Sequence, residues 1–546
     1  MAAEVAAPSR KRPDRVLWEF FARRTLRSAT FVSVIFGLIA ASKVLGYAAV
    51  YPTKAQQVSA GLIMTGQATY KVLLGVPQNI TTVAGFAACY SVGVSVLLGG
   101  IWAYVVTTKM FRGEETAGRW EVLLSSETTM RDATISAFKG LAVSLGVYFV
   151  IATLALMAIG AKSTVNYGAG PALYFGLAVV AGAVMFAAVG AFTSQIMPTR
   201  GRAAGLATII FGLSFLLRAA GDVSGTHWLV DISPLGWVEQ LNPLFNSQPI
   251  WLVPIVLTTA ILVGSTILLA AHRDLGASII ADRDTARPRY ALLGSPLGAA
   301  LRLNGPGNLA WLAGIVAFSA FFGALTHTAI QVFSASQSAN QLFEHFTHSL
   351  QASSARAFLG VMYLITIVVL MCYSAYAVGT IRSDEAIGLS DNLLVGPLGR
   401  VSYLWVRGTL ALATIVLASG LGSLATKVSL GSHLYGLTAH DFVLAAVNCL
   451  PAAIFTLGVG LFALGVAPRL ATVLAYGVAA WSFIIQMLAS GLHLNHWLLD
   501  TSVFTHIALT PASPPQVEQN WILVLLGLAL ALAGTYWYNR RDLEGE

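Results

Sequence analysis

The chain has 546 residues, of which 56% are hydrophobic and only 10% are charged. Soluble domains carry about a quarter charged residues, so this composition excludes an ordinary soluble protein and predicts an integral membrane protein. The net charge of +8 would favour nucleic acid as the partner of a soluble chain. In a membrane protein its placement sets topology instead, and we expect no nucleic-acid partner.

Twelve apolar segments, taken in chain order, are long enough to cross a bilayer, whose hydrocarbon core needs about 20 residues per helix. They are residues 28–48, 82–107, 133–160, 171–196, 203–221, 250–271, 307–330, 356–380, 402–426, 440–466, 469–490 and 520–539. The predicted fold class is therefore an all-α integral membrane protein with about 12 transmembrane helices.

The placement of basic residues predicts the orientation of the spans. With the N-terminus in the cytoplasm, 25 of the 32 Lys and Arg residues lie in cytoplasmic segments. The other seven are Lys43, Lys54, Lys71, Lys162, Arg218, Arg356 and Lys427. This positive-inside bias predicts a multi-pass membrane protein with both termini in the cytoplasm. We expect no cleaved signal peptide, because the first apolar run is too long and contains Lys43.

Two segments outside the spans have the pattern of helices that lie on the membrane surface. In "RVLWEFFARRTLRS", near the N-terminus, aromatic residues alternate with arginines that would face anionic headgroups. "SPLGAALRLNGPG" is its counterpart before the seventh span. The predicted order is a cytoplasmic N-terminus with a surface helix, a six-helix half, a cytoplasmic linker with the second surface helix, a second six-helix half and a cytoplasmic tail. The bounds are 1–27, 28–271, 272–306, 307–539 and 540–546.

A dense group of charges, "FRGEETAGRWEVLLSS", follows the second span at residues 111–126. Glu114 and Glu115 favour a helix N-terminus, and Glu115 and Arg119 have the favourable i, i+4 order for an ion pair. One apolar face is formed by Ala117, Trp120 and Leu124. The segment predicts a short amphipathic helix with an exposed Trp120, suited to docking a cytoplasmic partner. A solvated loop is the alternative.

The charged segment returns as "RSDEAIGLSDNLLVG" at an offset of 270 residues, close to half the chain length. Prolines that follow the fourth and tenth spans have the same offset. The matched pairs are Arg112 with Arg382, Glu114 with Asp384, Glu115 with Glu385, Gly118 with Gly388, Glu121 with Asp391, and Pro198 with Pro468. A period of this length predicts two homologous six-helix halves.

Two kinds of chemistry are missing from the sequence. No Asp or Glu lies within a predicted span core, which disfavours a carrier driven by protons or sodium. The chain has no Gly-Lys dipeptide and hence no Walker A phosphate loop. The chain is therefore not expected to be an enzyme, and ATP hydrolysis is expected on a separate subunit. A lipid-linked glycosyltransferase is disfavoured, because the outer loops carry few carboxylates.

Aromatic side chains in the second, fifth, eighth and eleventh spans are candidates for a substrate path. They could equally face lipid or pack in the core. They are Tyr90, Trp102, Tyr104, Phe211, Phe215, Tyr363, Tyr373, Tyr376, Trp481 and Phe483. Arg218 is either a polar contact near the outer mouth or an arginine that snorkels to the interface beside Asp222. "HFTH" and "HLNH" have chelating spacing, but without a third ligand no metal site is expected.

The repeated pattern R-x-[ED]-E-x-x-G-x-x-[ED]-x-L-L resembles that of permeases of type-2 ABC exporters. The fused 6+6 form resembles the polyketide-antibiotic (tetronasin-type) exporters. The resemblance implies that the chain lies in the bacterial plasma (inner) membrane and that the charged helix couples the membrane domain to an ATPase subunit. It also implies two copies of a separately encoded ATPase that binds ATP and Mg²⁺, no cofactor on this chain, and export of hydrophobic small molecules such as antibiotics, drugs or lipid-like compounds.

Carried over to this sequence, the resemblance assigns coupling to Arg112, Glu114, Glu115, Gly118, Arg119, Trp120, Glu121, Arg382, Asp384, Glu385, Gly388 and Asp391. Leu389 and Ser390 replace the arginine and tryptophan of the first copy, so the two docking surfaces are expected to be unequal. The family also implies a pathway lined by the second and fifth spans of each half, which hold the aromatic candidates and Arg218.

The main rival is a secondary multidrug carrier of the major facilitator type. Such carriers also have 6+6 spans and a charged Gly/Arg motif after the second and eighth. The acid-rich segment with its amphipathic "WEVLL", the lack of an embedded carboxylate and the predicted surface helices favour the exporter.

Overall fold

The computed structural model describes residues 13–66, 68–76, 79–125, 128–280, 292–334, 354–395, 398–431, 434–489 and 495–543. Within these ranges the secondary structure is helical and contains no β-strand. In the same ranges, twelve helices are long and apolar enough to cross a membrane. The predicted fold class, an all-α integral membrane protein with twelve spanning helices, is therefore confirmed.

The long helices of the first half are α1 (Pro13–Val50), α2 (Val83–Thr108), α3 (Met130–Gly160), α4 (Ala169–Ile196), α5 (Arg200–Ser224) and α6 (Leu252–His272). Those of the second half are α7 (Pro296–Ser334), α8 (Ser354–Ala386), α9 (Arg400–Leu430), α10 (Leu450–Val466), α11 (Ala471–Ala489) and α12 (Val517–Arg540). Each overlaps one predicted span. The tenth span has two parts, because a separate helix (Ala439–Asn448) precedes α10 and Pro451 follows the break.

The first helix of each half is much longer than a bilayer requires. α1 has 38 residues and α7 has 39. At 1.5 Å per residue each is roughly 57 Å long, against a hydrocarbon core of about 30 Å. The segments predicted as surface helices are the first turns of α1 and α7, and they continue into the spans without a break. Their position on a membrane surface stays a prediction.

The chain forms two compact units, one holding residues 1–65 and 69–286 and the other holding residues 66–68 and 287–546. In the first unit α1 packs along α3, and α2 packs along α4. In the second unit the corresponding pairs recur, α7 with α9 and α8 with α10. The α4–α6 pair corresponds to α10–α12. Each unit therefore repeats one packing scheme, which places the end of its second long helix near the end of its sixth.

Small residues allow α10 and α12 to approach closely. A Cβ built on Gly458 would lie 2.1 Å from the carbonyl oxygen of Gly527, and one on Gly465 would lie 2.2 Å from that of Gly534. Such contacts are typical of helix pairs in membranes, where association depends on close van der Waals packing. The pair holds the C-terminal end of α12 beside the end of α10, and this positions the residue that follows α12.

Candidate functional site

In the first unit the charged segment forms a helical turn, a reversal and a second short helix. α2 continues through a π-turn (Lys109–Gly113) into Glu114–Thr116. The chain then reverses at Gly118, whose φ is 71°. The N–H of Gly118 donates to the carbonyl of Glu115 over 3.0 Å. A left-handed residue after a helix is usually glycine, because a side chain is disfavoured there. The helix that follows, Arg119–Leu124, is called here the first charged helix.

The second unit repeats this geometry at the end of α8. Gly388 has a φ of 72°, and its N–H donates to the carbonyl of Glu385 over 3.1 Å. The helix Leu389–Leu394 follows and is called here the second charged helix. No atom lies within 4 Å of a Cβ built on Gly118 or Gly388, so backbone conformation rather than space explains both glycines.

A buried ion pair lies immediately before the first charged helix. Arg273, the first residue after α6, binds both carboxylate oxygens of Glu115 through Nη1 and Nη2 at 2.6 and 2.7 Å. The N–H of Gly276 donates to the same carboxylate at 2.8 Å. Arg112 is fully buried, and its Nη1 donates to Glu115 Oε2 at 3.0 Å. We call the Glu115–Arg273 pair the first brace, because it ties the end of α2 to the end of α6.

The second unit contains the matching pair. Arg541, the first residue after α12, binds both oxygens of Glu385 through Nη1 and Nη2 at 2.5 and 2.6 Å. Its Nε donates to the carbonyl of Leu464 at 3.1 Å. Arg382 lies farther from Glu385, at 3.8 Å. The Glu385–Arg541 pair is called the second brace. Sequence reasoning missed Arg273 and Arg541, although each occupies the same place after the sixth helix of its half.

The neighbouring acids have different partners in the two units. Glu114 pairs with Arg24 of α1 and with Arg119, whereas Asp384 pairs with Arg407 of α9. The predicted ion pair between Glu115 and Arg119 was wrong. The i, i+4 geometry needs one continuous helix, and the reversal at Gly118 interrupts it.

Trp120 is buried, so the prediction that it is exposed was wrong. Its ring lies 6.0 Å from that of Phe21 and 6.1 Å from that of Phe111, measured between centroids. Its Nε1–H donates to the carbonyl of Met110 at 3.3 Å. The reversal turns this side of the helix inward, against α1 and the end of α2. Ser390 occupies the matching buried position, and its hydroxyl has no hydrogen-bond partner among the described residues.

The outward faces of the two charged helices are what a partner could touch. On the first, Arg119 and Glu121 are exposed, and Val122 is 74% exposed. Around the second, Asp391 is exposed, and Val395 is 89% exposed. Each face thus combines an acidic side chain with an uncovered apolar one. The remaining predicted coupling residues, including Arg112, Glu115 and Glu385, build the support beneath these faces.

The predicted substrate-path residues are buried to different degrees. Tyr90, Trp102, Phe211, Tyr363 and Tyr373 are buried, whereas Phe215, Tyr376 and Phe483 are half-buried and Trp481 is 45% exposed. Several pack on aromatic neighbours within their own unit. Phe211 lies 4.9 Å from Phe186, and Trp102 lies 6.0 Å from Tyr148. Their role in a path stays a prediction.

Arg218 lies in a buried charge cluster at the end of α5. Its Nε is 3.7 Å from Asp222, and its Nη1 is 3.6 Å from Glu239. Nη2 donates to the carbonyl of Val72, and Glu239 accepts from the N–H of Val76 at 2.6 Å. The Arg218 side chain is 3% exposed and does not extend to solvent, whereas its predicted place beside Asp222 is confirmed. Glu239 was not anticipated.

Among the described residues, no group of three or more His, Cys, Asp or Glu side chains is arranged to hold a metal ion. The "HFTH" histidines and the first histidine of "HLNH" lie outside the described residues. The described cysteines, Cys89, Cys372 and Cys449, are free thiols.

Comparison with known proteins shows similarity to an efflux permease along most of the chain. A family model described as "Multidrug efflux system permease Rv1217c, C-terminal domain" matches residues 293–539. The chain is 27% identical over 509 residues to the multidrug efflux system permease protein Rv1217c of Mycobacterium tuberculosis (strain ATCC 25618 / H37Rv). That match covers 91% of this chain and 88% of the relative. The narrower resemblance to tetronasin-type exporters stays a prediction.

Proposed function

We propose that this multi-pass membrane protein is the permease subunit of an ATP-driven ABC exporter in the bacterial plasma membrane. It moves hydrophobic small molecules such as drugs, antibiotics or lipid-like compounds out of the cell. The name of the relative, a multidrug efflux permease, supports the substrate class. Two copies of a separate ATPase, each binding ATP and Mg²⁺, supply the energy. Both chain termini lie in the cytoplasm.

The observation that carries the proposal is the repeated arrangement of an exposed charged helix above a buried brace. The two braces match in residue type, in burial and in bidentate geometry. A solvated loop needs no buried ion pair beneath it. A surface that receives force does need such support, because an unsupported short helix would move without displacing the spans.

The braces suggest how movement of the ATPase subunits is transmitted to the spanning helices. ATP-driven closure of the partner subunits pushes on the charged helices. The first brace transmits this displacement to α2 and α6 together, and the second transmits it to α8 and α12. A buried ion pair resists separation, since removing one partner leaves a buried charge uncompensated at a cost of about 3–5 kcal/mol. The ends of the second and sixth helices therefore move as one piece.

An export assay tests this proposal with variants of exposed residues, so that the fold is left intact. Charge reversal at Glu114 and Glu115 is avoided, because both are buried and the change would disrupt the ion pairs that support the charged helix. We expect the double variant Glu121→Lys/Val122→Asp to lower ATP-dependent efflux of a hydrophobic fluorescent dye at least about tenfold, a loss of about 1.4 kcal/mol of coupling, at unchanged membrane abundance. Glu518→Lys, an exposed change in the first turn of α12, is the matched control. Full efflux by the double variant contradicts the docking role.

A second candidate, a proton-driven multidrug carrier, is favoured by one observation. Asp222 is buried in α5, and its carboxylate lies 3.7 Å from Arg218 Nε, which is longer than a hydrogen bond. Embedded carboxylates are typical of proton-coupled carriers. Asp222→Asn should abolish efflux in the carrier, and collapse of the proton gradient should do the same while ATP is maintained. The exporter keeps its efflux under collapsed gradient and stops only when ATP is removed.

A further inference from the structure

A groove runs along the second unit between α9 and the helix Ala439–Asn448. It has a cavity volume of about 330 Å³, which lies within the range of small-molecule sites, about 300–1,000 Å³. Its walls come from residues 416–427 of α9 and from residues 439–450 of the facing segment. Every lining residue except Lys427 is apolar, a glycine or a serine. We call this cavity the α9 groove.

Two serines of α9 tie the walls of the α9 groove together. Ser419 Oγ donates to the carbonyl of Ala446 at 2.7 Å, and Ser423 Oγ donates to that of Phe442 at 2.7 Å. Both hydroxyls therefore use their hydrogens on the facing backbone. Because the other lining side chains are apolar, the interior of the groove suits a hydrocarbon chain rather than a polar solute.

The α9 groove has the length of one membrane leaflet. Residues 416–427 cover about 17 Å of helix at 1.5 Å per residue, and half of a hydrocarbon core is about 15 Å. Lys427 lies in the last turn of α9, at the end far from the second charged helix. A lipid with its acyl chain in the groove would therefore have its headgroup at the level of Lys427.

The ammonium of Lys427 is available to an anion. Lys427 is half-buried and lines the groove, and it has no hydrogen bond or ion pair among the described residues. Asp441 is the acid of the facing helix, and it has other partners. It accepts from the N–H of Thr438 at 2.7 Å and lies 3.7 Å from Arg356. A basic side chain beside an apolar groove favours a lipid with an anionic headgroup.

The first unit differs at the place that matches the α9 groove. A Cβ built on Gly176, the counterpart of Ala446, would lie 3.4 Å from Phe149 Cε2. α3 and α4 are therefore in direct contact there, with an aromatic ring in place of a small side chain, and the lysine is missing. At the offset of 270, Ser419 corresponds to Phe149, Gly420 to Val150 and Lys427 to Met157.

We propose that the α9 groove binds one anionic phospholipid per chain, with an acyl chain in the groove and the headgroup phosphate at Lys427. The site belongs to the second unit only. It is separate from ATPase docking, and its test needs no ATPase.

The test is native mass spectrometry of the purified full chain, titrated in detergent with phosphatidylglycerol or, in a second series, with phosphatidylcholine. We expect the tightest-bound lipid of the wild type to be one phosphatidylglycerol. A Cβ built on Gly420 meets no atom within 4 Å, so the ring of Gly420→Phe can enter the groove. This variant should weaken the binding of both lipids at least about tenfold, and Gly420→Ala should change it less than about twofold.

Variants of Lys427 test the headgroup contact separately. Lys427→Met should weaken phosphatidylglycerol binding about fivefold, the effect of one basic residue near the membrane surface, and should leave phosphatidylcholine binding unchanged. Lys427→Arg should bind as the wild type does. Lys162→Met, an exposed change just after α3, removes the same charge from the first unit and is the matched control.

Three results would overturn the proposal. The first is normal phosphatidylglycerol binding by Gly420→Phe, and the second is equal weakening by Lys427→Met and Lys162→Met. The third is displacement of the bound lipid by a hydrophobic dye that the protein exports, because the groove would then hold transport substrate. If Gly420→Phe folds poorly, the comparison of Lys427→Met with Lys162→Met still decides.

Discussion

The two charged helices share their support and differ in their surroundings. Both units have a left-handed glycine, a short helix and a bidentate Glu–Arg brace to the residue after the sixth helix. The buried side chain of the first charged helix is Trp120, and that of the second is Ser390. Since the duplicated halves agree in the brace and diverge around it, the brace is the part that the architecture requires. The surroundings are where the two sites can become unequal.

Breaking a brace should give the largest effect. Glu115→Gln leaves both Arg112 and Arg273 without their anion, so we expect a loss of about 3–5 kcal/mol in the free energy of unfolding. Glu385→Gln should cost less, because Arg382 lies farther from its carboxylate than Arg112 lies from Glu115. Denaturant unfolding of the purified protein measures both. Losses below about 1 kcal/mol would show that the braces do not hold the helix ends together.

Truncation of the buried side chain of each charged helix should give the second-largest effect. The result should differ between the two units. Trp120→Ala removes an aromatic ring from a packed site and should cost about 3 kcal/mol. Ser390→Ala should be neutral or stabilise by about 1 kcal/mol, because it removes a buried hydroxyl without a partner among the described residues. Thermal unfolding of the two variants checks the opposite signs. A loss in both would mean that Ser390 has the same packing role as Trp120.

Substitution of the left-handed glycines should destabilise both units equally, and this should be the smallest of the three effects. Gly118→Ala and Gly388→Ala each place a side chain on left-handed backbone, which should cost about 1–2 kcal/mol. Gly201→Ala, in α5, also meets no atom within 4 Å but has ordinary helical backbone, so it should not destabilise. Circular dichroism during thermal unfolding distinguishes the three. If Gly201→Ala costs as much as the other two, backbone conformation is not the cause.

The spans and the repeat were readable in the sequence, because apolar length and a repeated motif are local signals. All twelve spans and the place of both charged helices followed from them. The orientation of Trp120 did not, because the apolar periodicity was read across Gly118 as one helix. The braces were not predicted either, because they join residues 158 and 156 positions apart in the sequence, and a local pattern does not reveal such pairs. Glu239 was not predicted for the same reason, because it lies 163 residues from Val76, whose backbone N–H it accepts from.

The most direct test of the account is the mass of the complex that the chain forms with its ATPase. We expect two ATPase subunits per chain. The double variant Glu121→Lys/Val122→Asp should bind one, and the matching change at Asp391 and Val395 should independently remove the other. Binding of two subunits by both variants, or of none by the wild type, would contradict the claim that the charged helices receive work from an ATPase.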